Sequence, residues 1–229
     1  MWNQILNCKN EEFRAVWVHN TLSALRTKES QKILDVGAGL QPYKEHSVNL
    51  GYQYFSHDFS SYEPQVVAAE GLQNSSWNYP KADINCDILM IPETAKYDII
   101  ICTEVLEHVP DPVAAFKKMV SLLSPKGNLI ISVPLMSLMH QAPYWFQSGL
   151  SPQWFEYHSK DNYMNVESLT IYGDYVDYME QEILRVFEFL NRIRGLSRVI
   201  PSIKKSLRKK INPSLLEAAG FGVVYVGRK

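Results

Sequence analysis

Short apolar runs alternate with amphipathic stretches along the chain. The apolar runs have the length of buried strands, and apolar residues at intervals of three and four between them indicate helices. The strands predicted in this way are 32–36, 54–58, 82–84, 97–103, 128–133, 165–172 and 220–227. The predicted helices are 10–27, 112–123 and 175–194. Strands that alternate with helices predict an α/β fold with a doubly wound, mostly parallel sheet and right-handed crossovers.

Composition indicates that these elements form a single globular domain, residues 1–229. Of the 229 residues, 46% are hydrophobic and 21% are charged, which allows a well-buried core. A net charge of −1 gives no reason to expect DNA as a partner. Cys8, Cys86 and Cys102 are too widely spaced for a disulfide framework or a zinc site. We find no signal peptide and no apolar run of membrane-spanning length, so we expect a cytoplasmic protein.

A glycine-containing turn after the first of these strands predicts a ligand site. Gly37 and Gly39 lack a Cβ atom, so the backbone can pass close to a bound molecule. Asp35 precedes the turn at the carboxyl end of the strand, where α/β sheets bind ligands. Asp58 ends the next strand, 19 residues after Gly39, where doubly wound folds present a carboxylate to ribose hydroxyls. An ordinary turn and a helix N-cap at Asp58 are the structural alternatives.

A nicotinamide or flavin dinucleotide is the competing ligand for such a turn. Dinucleotide-binding proteins carry the pattern Gly-x-Gly-x-x-Gly, and here Pro42 stands at the third glycine position. Asp35 would also repel a diphosphate, whereas it would attract an ammonium group. The sequence therefore disfavours a dinucleotide.

Five motifs in order resemble the class I S-adenosylmethionine-dependent methyltransferases, most closely their type-11 group. The motifs are Ile33-Leu-Asp-Val-Gly-Ala-Gly39, Asp58, Ala82-Asp-Ile84, Tyr97-Asp-Ile-Ile with Glu104-Val-Leu-Glu-His-Val-Pro-Asp-Pro112, and Ser124-Pro-Lys-Gly-Asn-Leu-Ile-Ile-Ser-Val-Pro134. The resemblance covers about residues 30–146. It implies S-adenosylmethionine as the cofactor and a Rossmann-like, seven-stranded sheet whose last strand is antiparallel.

The resemblance also implies where the methionine and ribose portions of the cofactor would bind. Asp35 and Gly37 would line the methionine portion, with Asp35 reaching the amino group directly or through water. Gly39 would let the backbone approach the same portion. Asp58 would hold the two ribose hydroxyls.

By the same resemblance, the adenine would be recognised after the third predicted strand. Asp83 would accept a hydrogen bond from the adenine amino group, and the Ile84 backbone N–H would meet a ring nitrogen. Thr103 and Glu104, at the end of the fourth predicted strand, would flank the cofactor on the substrate side.

Methyl transfer from a sulfonium is an in-line displacement, so the protein mainly positions the reactants and excludes water. A hydroxyl acceptor must still lose its proton to a base or a metal. The candidate catalytic residues are His140, which we prefer as base, His108 and Glu104. Glu104, Glu107 and His108 also resemble the Glu-x-x-Glu-His of some metal-assisted methyltransferases, with His140 as a fourth ligand. The alternative is a hydrogen-bonded turn, and the sequence analysis assigns no metal.

Three further segments concern the substrate and its partners. Residues 144–157 are dense in aromatics and are either pocket walls or core. The N-terminal helical segment 1–29 is either a lid over the ligand or packs on the sheet edge. A helical insertion over 174–212 precedes the last strand and contains a basic stretch, 192–210. This stretch predicts contact with a membrane surface or an anionic lipid. The alternative is a solvated helix that docks on the domain itself or on a second subunit in a homodimer.

The sequence thus predicts a methyltransferase that acts on a hydroxyl of a small-molecule, lipid or sugar-type acceptor. One alternative is a protein that binds the cofactor without turnover. The other is an RNA methyltransferase that docks through its basic helix, which would make binding strongly dependent on salt.

Overall fold

A computed structural model describes residues 3–5, 10–60, 80–141, 143–190, 202, 206–207 and 220–229. The strands are β1 (Asn3–Ile5), β2 (Lys32–Val36), β3 (Gln53–Asp58), β4 (Ile84–Asn85), β5 (Tyr97–Thr103), β6 (Leu123–Pro134), β7 (Asn165–Tyr172) and β8 (Gly222–Arg228). The helices are α1 (Asn10–Leu25), α2 (Lys44–Asn49), α3 (Pro112–Leu122), α4 (Pro152–Asp161) and α5 (Tyr175–Leu190). Single 3-10 turns lie at Ile88–Met90 and Leu106–His108.

All of these strands form one sheet in the order β1-β7-β8-β6-β5-β2-β3-β4. Neighbouring strands run parallel except where β8 pairs with β6 and with β7. The predicted doubly wound sheet with an antiparallel last strand is therefore confirmed. The chain moves outward from β2 to β3 and β4, then returns to β5 on the other side of β2. This switch point between β2 and β5 is where open α/β sheets bind ligands.

An eighth strand, β1, extends the sheet beyond the seven that the resemblance implies. It pairs parallel with β7 at the edge through only three residues, Asn3 to Ile5. A strand this short has no alternation of apolar and polar residues that a sequence pattern could detect.

Apolar side chains cover both faces of the sheet. Leu34, Ile100 and Phe116 belong to a cluster of buried residues in which α3 packs on one face. Val18 and Leu22 of α1 pack in a second cluster with Ile33, Ile99 and other strand residues. Because adjacent side chains along a strand point to opposite faces, the apolar residues of β2 and β5 contribute to both clusters.

Helix α4 was not predicted. Ser151 begins it by accepting a hydrogen bond from the Trp154 backbone N–H, and Pro152 occupies its first turn. Both are regular helix-start signals. The sequence analysis left the aromatic residues of this segment as either pocket walls or core, and Phe155 is fully buried in the core with Trp154 packed against the same cluster.

Two predicted features lie largely outside the described residues. Helix α5 begins at Tyr175 as predicted, but most of the predicted insertion that follows it, with the basic stretch 192–210, is not described.

Within the described parts of the chain, no helix combines the length and the apolar character needed to cross a membrane.

Candidate functional site

The glycine turn lies at the carboxyl end of β2, between the ends of β3 and β5. Gly37 has a φ of 69°, and a Cβ atom there would collide with Val105 of the turn after β5. Glycine is therefore required both for the backbone conformation and for the close approach of the two turns. Ala38 N–H donates to the His57 carbonyl at 2.9 Å, which fixes the turn against the end of β3.

A cavity of about 260 Å³ opens beside this turn and contains several of the predicted residues. Its lining includes Gly37, Gly39 and Asp58 on the β2–β3 side and Glu104 and His108 on the β5 side. The polar groups at this edge face a largely apolar enclosure, as in other small-molecule sites. The sequence analysis therefore brought together residues that do share one cavity.

Asp58 is fixed by two backbone N–H groups. Its Oδ2 accepts from Gly39 N–H at 2.9 Å, and its Oδ1 accepts from Ser60 N–H at 2.7 Å. Each carboxylate oxygen has a second lone pair. Asp58 can thus accept further hydrogen bonds from hydroxyl groups in the cavity without releasing the turn.

A second cavity, of about 430 Å³, lies on the other side of Gly37 and shares Gly37 and Glu104 with the first. Asp35 and Thr103 line it, together with Arg14 and Tyr43. The two cavities together form a trough across the ends of β3, β2 and β5.

Asp35 is buried at the floor of the second cavity. Burial raises the pKa of its carboxyl group to about 7, the nearby Asp58 adds to this rise, and a hydrogen bond from the Tyr54 hydroxyl opposes it. The Tyr54 oxygen lies 2.6 Å from Asp35 Oδ2. A carboxyl group with this pKa would be fully ionised by an ammonium group bound beside it.

Arg14, on α1, reaches this cavity, and the sequence analysis missed it. Its guanidinium lies 3.4 Å from Glu104 Oε2, while Glu104 Oε1 accepts from the Ser132 hydroxyl at 2.9 Å. Of the two predictions for the N-terminal segment, packing at the sheet edge is wrong, because α1 packs on the face of the central strands, and a lid over the ligand stays a prediction. Val18 and Leu22 of α1 pack on the sheet, and Arg14 lies at the cavity.

Asp83 and Ile84, the residues expected to meet adenine, line neither of these two cavities. The Asp83 carboxylate accepts from the backbone N–H and the hydroxyl of Ser56, both at 2.8 Å, and these bonds lower the pKa of Asp83. Ile84 packs against the first apolar cluster. A second Asp-Ile pair, Asp87 and Ile88, lines the first cavity instead. The sequence held a signal for this second pair, because Asp-Ile occurs at 83–84 and again at 87–88.

Two histidines and a glutamate meet beside the first cavity, and one of them, His108, lines it. Glu107 and His108 lie in the 3-10 turn after β5, and His140 lies in the loop after β6. Since β5 and β6 are parallel neighbours, these two loops leave the sheet side by side. The ligand atoms of the three residues all lie within 4.8 Å of one another. Glu104, in contrast, turns toward Arg14 and Ser132.

Aromatic residues 144–157 do not all have the same surroundings. Tyr144 and Phe146 line the first cavity, where Tyr144 meets Phe59 edge to face. Trp145 lies against the His140 ring with centroids 4.7 Å apart. On α4, Phe155 is buried in the core and Trp154 packs against the same cluster, whereas Tyr157 is exposed. The aromatic residues of the segment thus divide among the cavity wall, the core and the surface.

Comparison with known proteins gives the family. A profile described as a methyltransferase domain matches residues 10–176. A ubiquinone biosynthesis O-methyltransferase of Leptothrix cholodnii is 28% identical over 119 residues, which cover 52% of this chain and 49% of that protein. The protein of the same description in Xanthomonas oryzae pv. oryzae is 33% identical over 102 residues, covering 44% of this chain and 42% of that protein. The matches span about half or less of these relatives' length.

Solved structures share the fold at low sequence identity. A SAM-dependent methyltransferase from Archaeoglobus fulgidus has a TM-score of 0.59 at 14% identity, covering 96% of this chain and 95% of that one. Magnesium protoporphyrin IX methyltransferase from Synechocystis PCC 6803, with bound SAM, has a TM-score of 0.54 at 16% identity, covering 96% and 79%. The [4+2]-cyclase SpnF has a TM-score of 0.56 at 15% identity, covering 93% and 80%. At these identities the likeness shows the fold alone.

Proposed function

Because the chain belongs to the methyltransferase-domain family of class I S-adenosylmethionine-dependent methyltransferases, we propose that it transfers a methyl group from S-adenosylmethionine to a hydroxyl of a small-molecule, lipid or sugar-type acceptor. The observation that carries this proposal is the trough formed by the two cavities that meet at Gly37 and Glu104. An acidic side chain lies on each side of the glycine turn, Asp35 in one cavity and Asp58 in the other.

In this proposal the methionine portion occupies the cavity lined by Asp35 and Arg14. Its ammonium group pairs with the Asp35 carboxylate, and its carboxylate faces the Arg14 guanidinium, so both charges of the amino acid meet an opposite charge. The ribose hydroxyls donate to Asp58. The sulfonium then lies near Gly37 and Glu104, where the two cavities join.

We place the adenine against Asp87 and Ile88 and not against Asp83 and Ile84. Asp87 and Ile88 line the cavity beyond Asp58, and the Asp83 carboxylate is engaged with Ser56. Asp87 also accepts from the Leu89 backbone N–H at 2.8 Å, which holds its carboxylate at the start of the 3-10 turn.

The adenine placement can be tested by comparing two alanine variants. Asp87→Ala should weaken S-adenosylhomocysteine binding about tenfold or more, because a charge-assisted hydrogen bond contributes about 1.5–3 kcal/mol. Asp83→Ala should lower the free energy of unfolding but leave the affinity of the folded protein unchanged. Calorimetric titration measures the first quantity and urea unfolding the second. The reverse pattern would return adenine recognition to Asp83.

The acceptor would enter on the side of Tyr144 and Phe146, whose rings form a wall suited to an apolar or ring-bearing molecule. An oxygen nucleophile there faces the two imidazoles. Burial, together with the nearby His140, lowers the pKa of His108 to about 4, although a hydrogen bond to the Tyr144 carbonyl opposes the shift. His108 is consequently a weak base near neutral pH. His140 stays the preferred candidate, with Glu104 on the cofactor side.

The overall reaction can be tested by incubating the protein with methyl-labelled S-adenosylmethionine and separate metabolite, lipid and RNA pools. A labelled product that releases its methyl group as methyl iodide on ether cleavage with hydriodic acid supports the proposal. Tight cofactor binding with no labelled acceptor in any pool would instead support a binding protein without turnover. Label in RNA would support the RNA alternative. The expectations of a cytoplasmic location, of membrane or anionic-lipid contact through 192–210 and of a homodimer stay predictions.

A further inference from the structure

The Asp35 carboxylate is buried at the place where the proposed function puts the ammonium group of the cofactor. Asp35 is only 1% exposed, and it lines the second cavity of the trough. A buried carboxyl group is neutral unless a neighbouring group stabilises its charge. Because an ammonium group binds the ionised form, a neighbour that stabilises this form also prepares the site for the ligand.

The Tyr54 hydroxyl is such a neighbour. Its oxygen lies 2.6 Å from Asp35 Oδ2. Burial raises the pKa of Tyr54, and the nearby Asp35 adds to the rise, so the hydroxyl keeps its proton and donates it to the carboxylate. Hydrogen bonds to an ionised acceptor are stronger than those between neutral groups. A single hydroxyl hydrogen engages one carboxylate oxygen, and the other, Oδ1, can accept from a ligand.

The register of the sheet places Tyr54 beside Asp35. Strands β2 and β3 are parallel neighbours in which Asp35 pairs with Ser56. Tyr54 stands two residues before Ser56, so it lies on the same face of the sheet. The hydroxyl and the backbone N–H of Ser56 both donate to Asp83, which leaves the Tyr54 hydroxyl as the neighbouring donor on this strand. The Tyr54 ring packs against the second apolar cluster, which holds the hydroxyl in place.

The other ionisable groups nearest to Asp35 are neutral or carry the same charge. Burial raises the pKa of Tyr43 and that of Cys102, so both are neutral near pH 7. Asp58 is negative when ionised, and it raises the pKa of Asp35. None of these three groups would stabilise the Asp35 carboxylate, in contrast to the Tyr54 hydroxyl.

Two charged side chains, Arg14 and Glu104, line the same cavity as Asp35. They lie 3.4 Å from each other and form an ion pair. The charge of Arg14 is thus largely balanced by that of Glu104 before a ligand binds.

We propose that Tyr54 is a positioning residue for the cofactor, because its hydrogen bond orients the Asp35 carboxylate and favours the ionised form that the ammonium group binds. This role rests on the proposed function. Tyr54 itself lines neither cavity of the trough. Any effect of its hydroxyl on cofactor binding must therefore pass through Asp35.

Calorimetric titration of Tyr54→Phe with S-adenosylhomocysteine at pH 7.0 tests this role. Loss of the hydrogen bond should move the Asp35 titration upward by about one pH unit or more, since hydrogen bonds to charged groups are among the strongest in proteins. With a pKa of about 7, about half of the Asp35 carboxyl groups are ionised at pH 7 in the parent chain. In Tyr54→Phe, only about one tenth would be ionised.

Two quantities should then change together. The affinity should fall about fivefold, because fewer chains hold Asp35 in the form that binds. The number of protons released per ligand should rise from about 0.5 to about 0.9, measured in two buffers of different ionisation enthalpy. A substitution that only loosened the packing of the cavity would lower the affinity without raising the proton release.

The matched control is Tyr52→Phe. Tyr52 stands two residues before Tyr54, and its buried hydroxyl donates to the Leu22 carbonyl at 2.7 Å. Neither Tyr52 nor Leu22 lines a cavity of the trough. Tyr52→Phe also removes a tyrosine hydrogen bond, so the free energy of unfolding should fall, but the affinity and the proton release should equal those of the parent chain.

A comparison in the Asp35→Asn background tests whether the effect passes through Asp35. Adding Tyr54→Phe to Asp35→Asn should change the affinity less than twofold. An affinity and a proton release in Tyr54→Phe equal to those of the parent chain would overturn the role of Tyr54. An equal loss of affinity in both backgrounds would overturn it as well.

NMR titration of the ligand-free chain separates the role of Tyr54 from the proposed function. The Asp35 carboxyl resonance is identified in carbon-13 aspartate-labelled protein by its loss in Asp35→Asn, and its titration should move upward in Tyr54→Phe but not in Tyr52→Phe. An unmoved titration in a chain that binds S-adenosylhomocysteine overturns the role of Tyr54 and leaves the methyltransferase proposal intact. A moved titration in a chain that binds no S-adenosylhomocysteine at any pH overturns the proposed function, and the cofactor role of Tyr54 with it.

Discussion

The affinity for the cofactor should increase with pH because of Asp35. Its pKa of about 7 means that the carboxyl group of the cofactor-free protein is mostly protonated at pH 6. The ammonium group of the ligand binds the ionised form. Binding at low pH must therefore release the Asp35 proton, and the affinity must rise as the pH rises through 7.

The size of the effect follows from the ionised fraction. With a pKa of about 7, about one tenth of the Asp35 carboxyl groups are ionised at pH 6 and about half at pH 7. The affinity should therefore rise about fivefold between these values, which corresponds to about 1 kcal/mol. The ligand's amino group stays protonated in this range, since the pKa of an α-amino group is about 8.

Calorimetric titration with S-adenosylhomocysteine at pH 6.0, 6.5 and 7.0 measures this change. Repeating the titration at pH 6.0 in two buffers of different ionisation enthalpy should show release of nearly one proton per ligand bound. 5′-Methylthioadenosine, which lacks the amino acid portion, is the ligand control, and its affinity should not follow the same curve. In Asp35→Asn, the affinity for S-adenosylhomocysteine should be lower and independent of pH over this range.

Two results would refute the reasoning. The first is an affinity that stays constant from pH 6 to 7 without proton release. The second is a pH dependence that persists in Asp35→Asn, which would assign the titration to another group.

The remaining predictions concern the glycine turn and helix α4. Gly37→Ala should lower the free energy of unfolding by about 2–5 kcal/mol, because it combines strain in the left-handed backbone conformation with overpacking against Val105. Gly51 also has a positive φ, but a Cβ atom there would meet only Arg26, at 3.4 Å. Gly51→Ala should therefore lower the free energy of unfolding by only about 1–2 kcal/mol. Equal losses for the two in urea unfolding would show that the contact with Val105 is unimportant. Ser151→Ala should cost about 1 kcal/mol by removing the N-cap of α4, and an unchanged midpoint of thermal unfolding would contradict this.

The centre of the sheet was predictable from the sequence because β2 and β5 are largely buried on both faces and mostly apolar. Strand β7 was predicted with its observed bounds, Asn165–Tyr172, although its first four residues are exposed. Elements with weak local patterns were missed. The three-residue strand β1 depends on pairing with β7, and the start signals of α4 were outweighed by its aromatic content.

Only the site residues that stand at a strand end or in a short motif could be predicted from the sequence. Asp35 and Asp58 follow directly from their positions at strand ends, and they lie in the trough. Adenine recognition was assigned to Asp83 because an Asp-Ile pair is present there, but the hydroxyl and N–H of Ser56, distant in sequence, engage that carboxylate. No sequence motif marks Arg14 as a cavity residue, because its position at the cavity depends on how α1 packs across the sheet.

The meeting of Glu107 with His140 could not be derived from spacing along one helix. The turn after β5 is a short 3-10 turn, and Glu104 adopts a positive φ of 55° before it. This conformation sends Glu104 toward Arg14 while Glu107 and His108 face the loop after β6. Backbone bonds from Phe146 and Gln147 to the Glu107 carbonyl, each 3.1 Å, hold that loop in place.

A crystal structure of the chain with S-adenosylhomocysteine tests the central claim most directly. We predict density along the trough, with the amino acid portion beside Asp35 and Arg14, the ribose hydroxyls on Asp58 and the adenine against Ile88. A trough that stays empty at saturating ligand, or a nucleoside bound in the opposite direction with its adenine beside Arg14, would contradict the account.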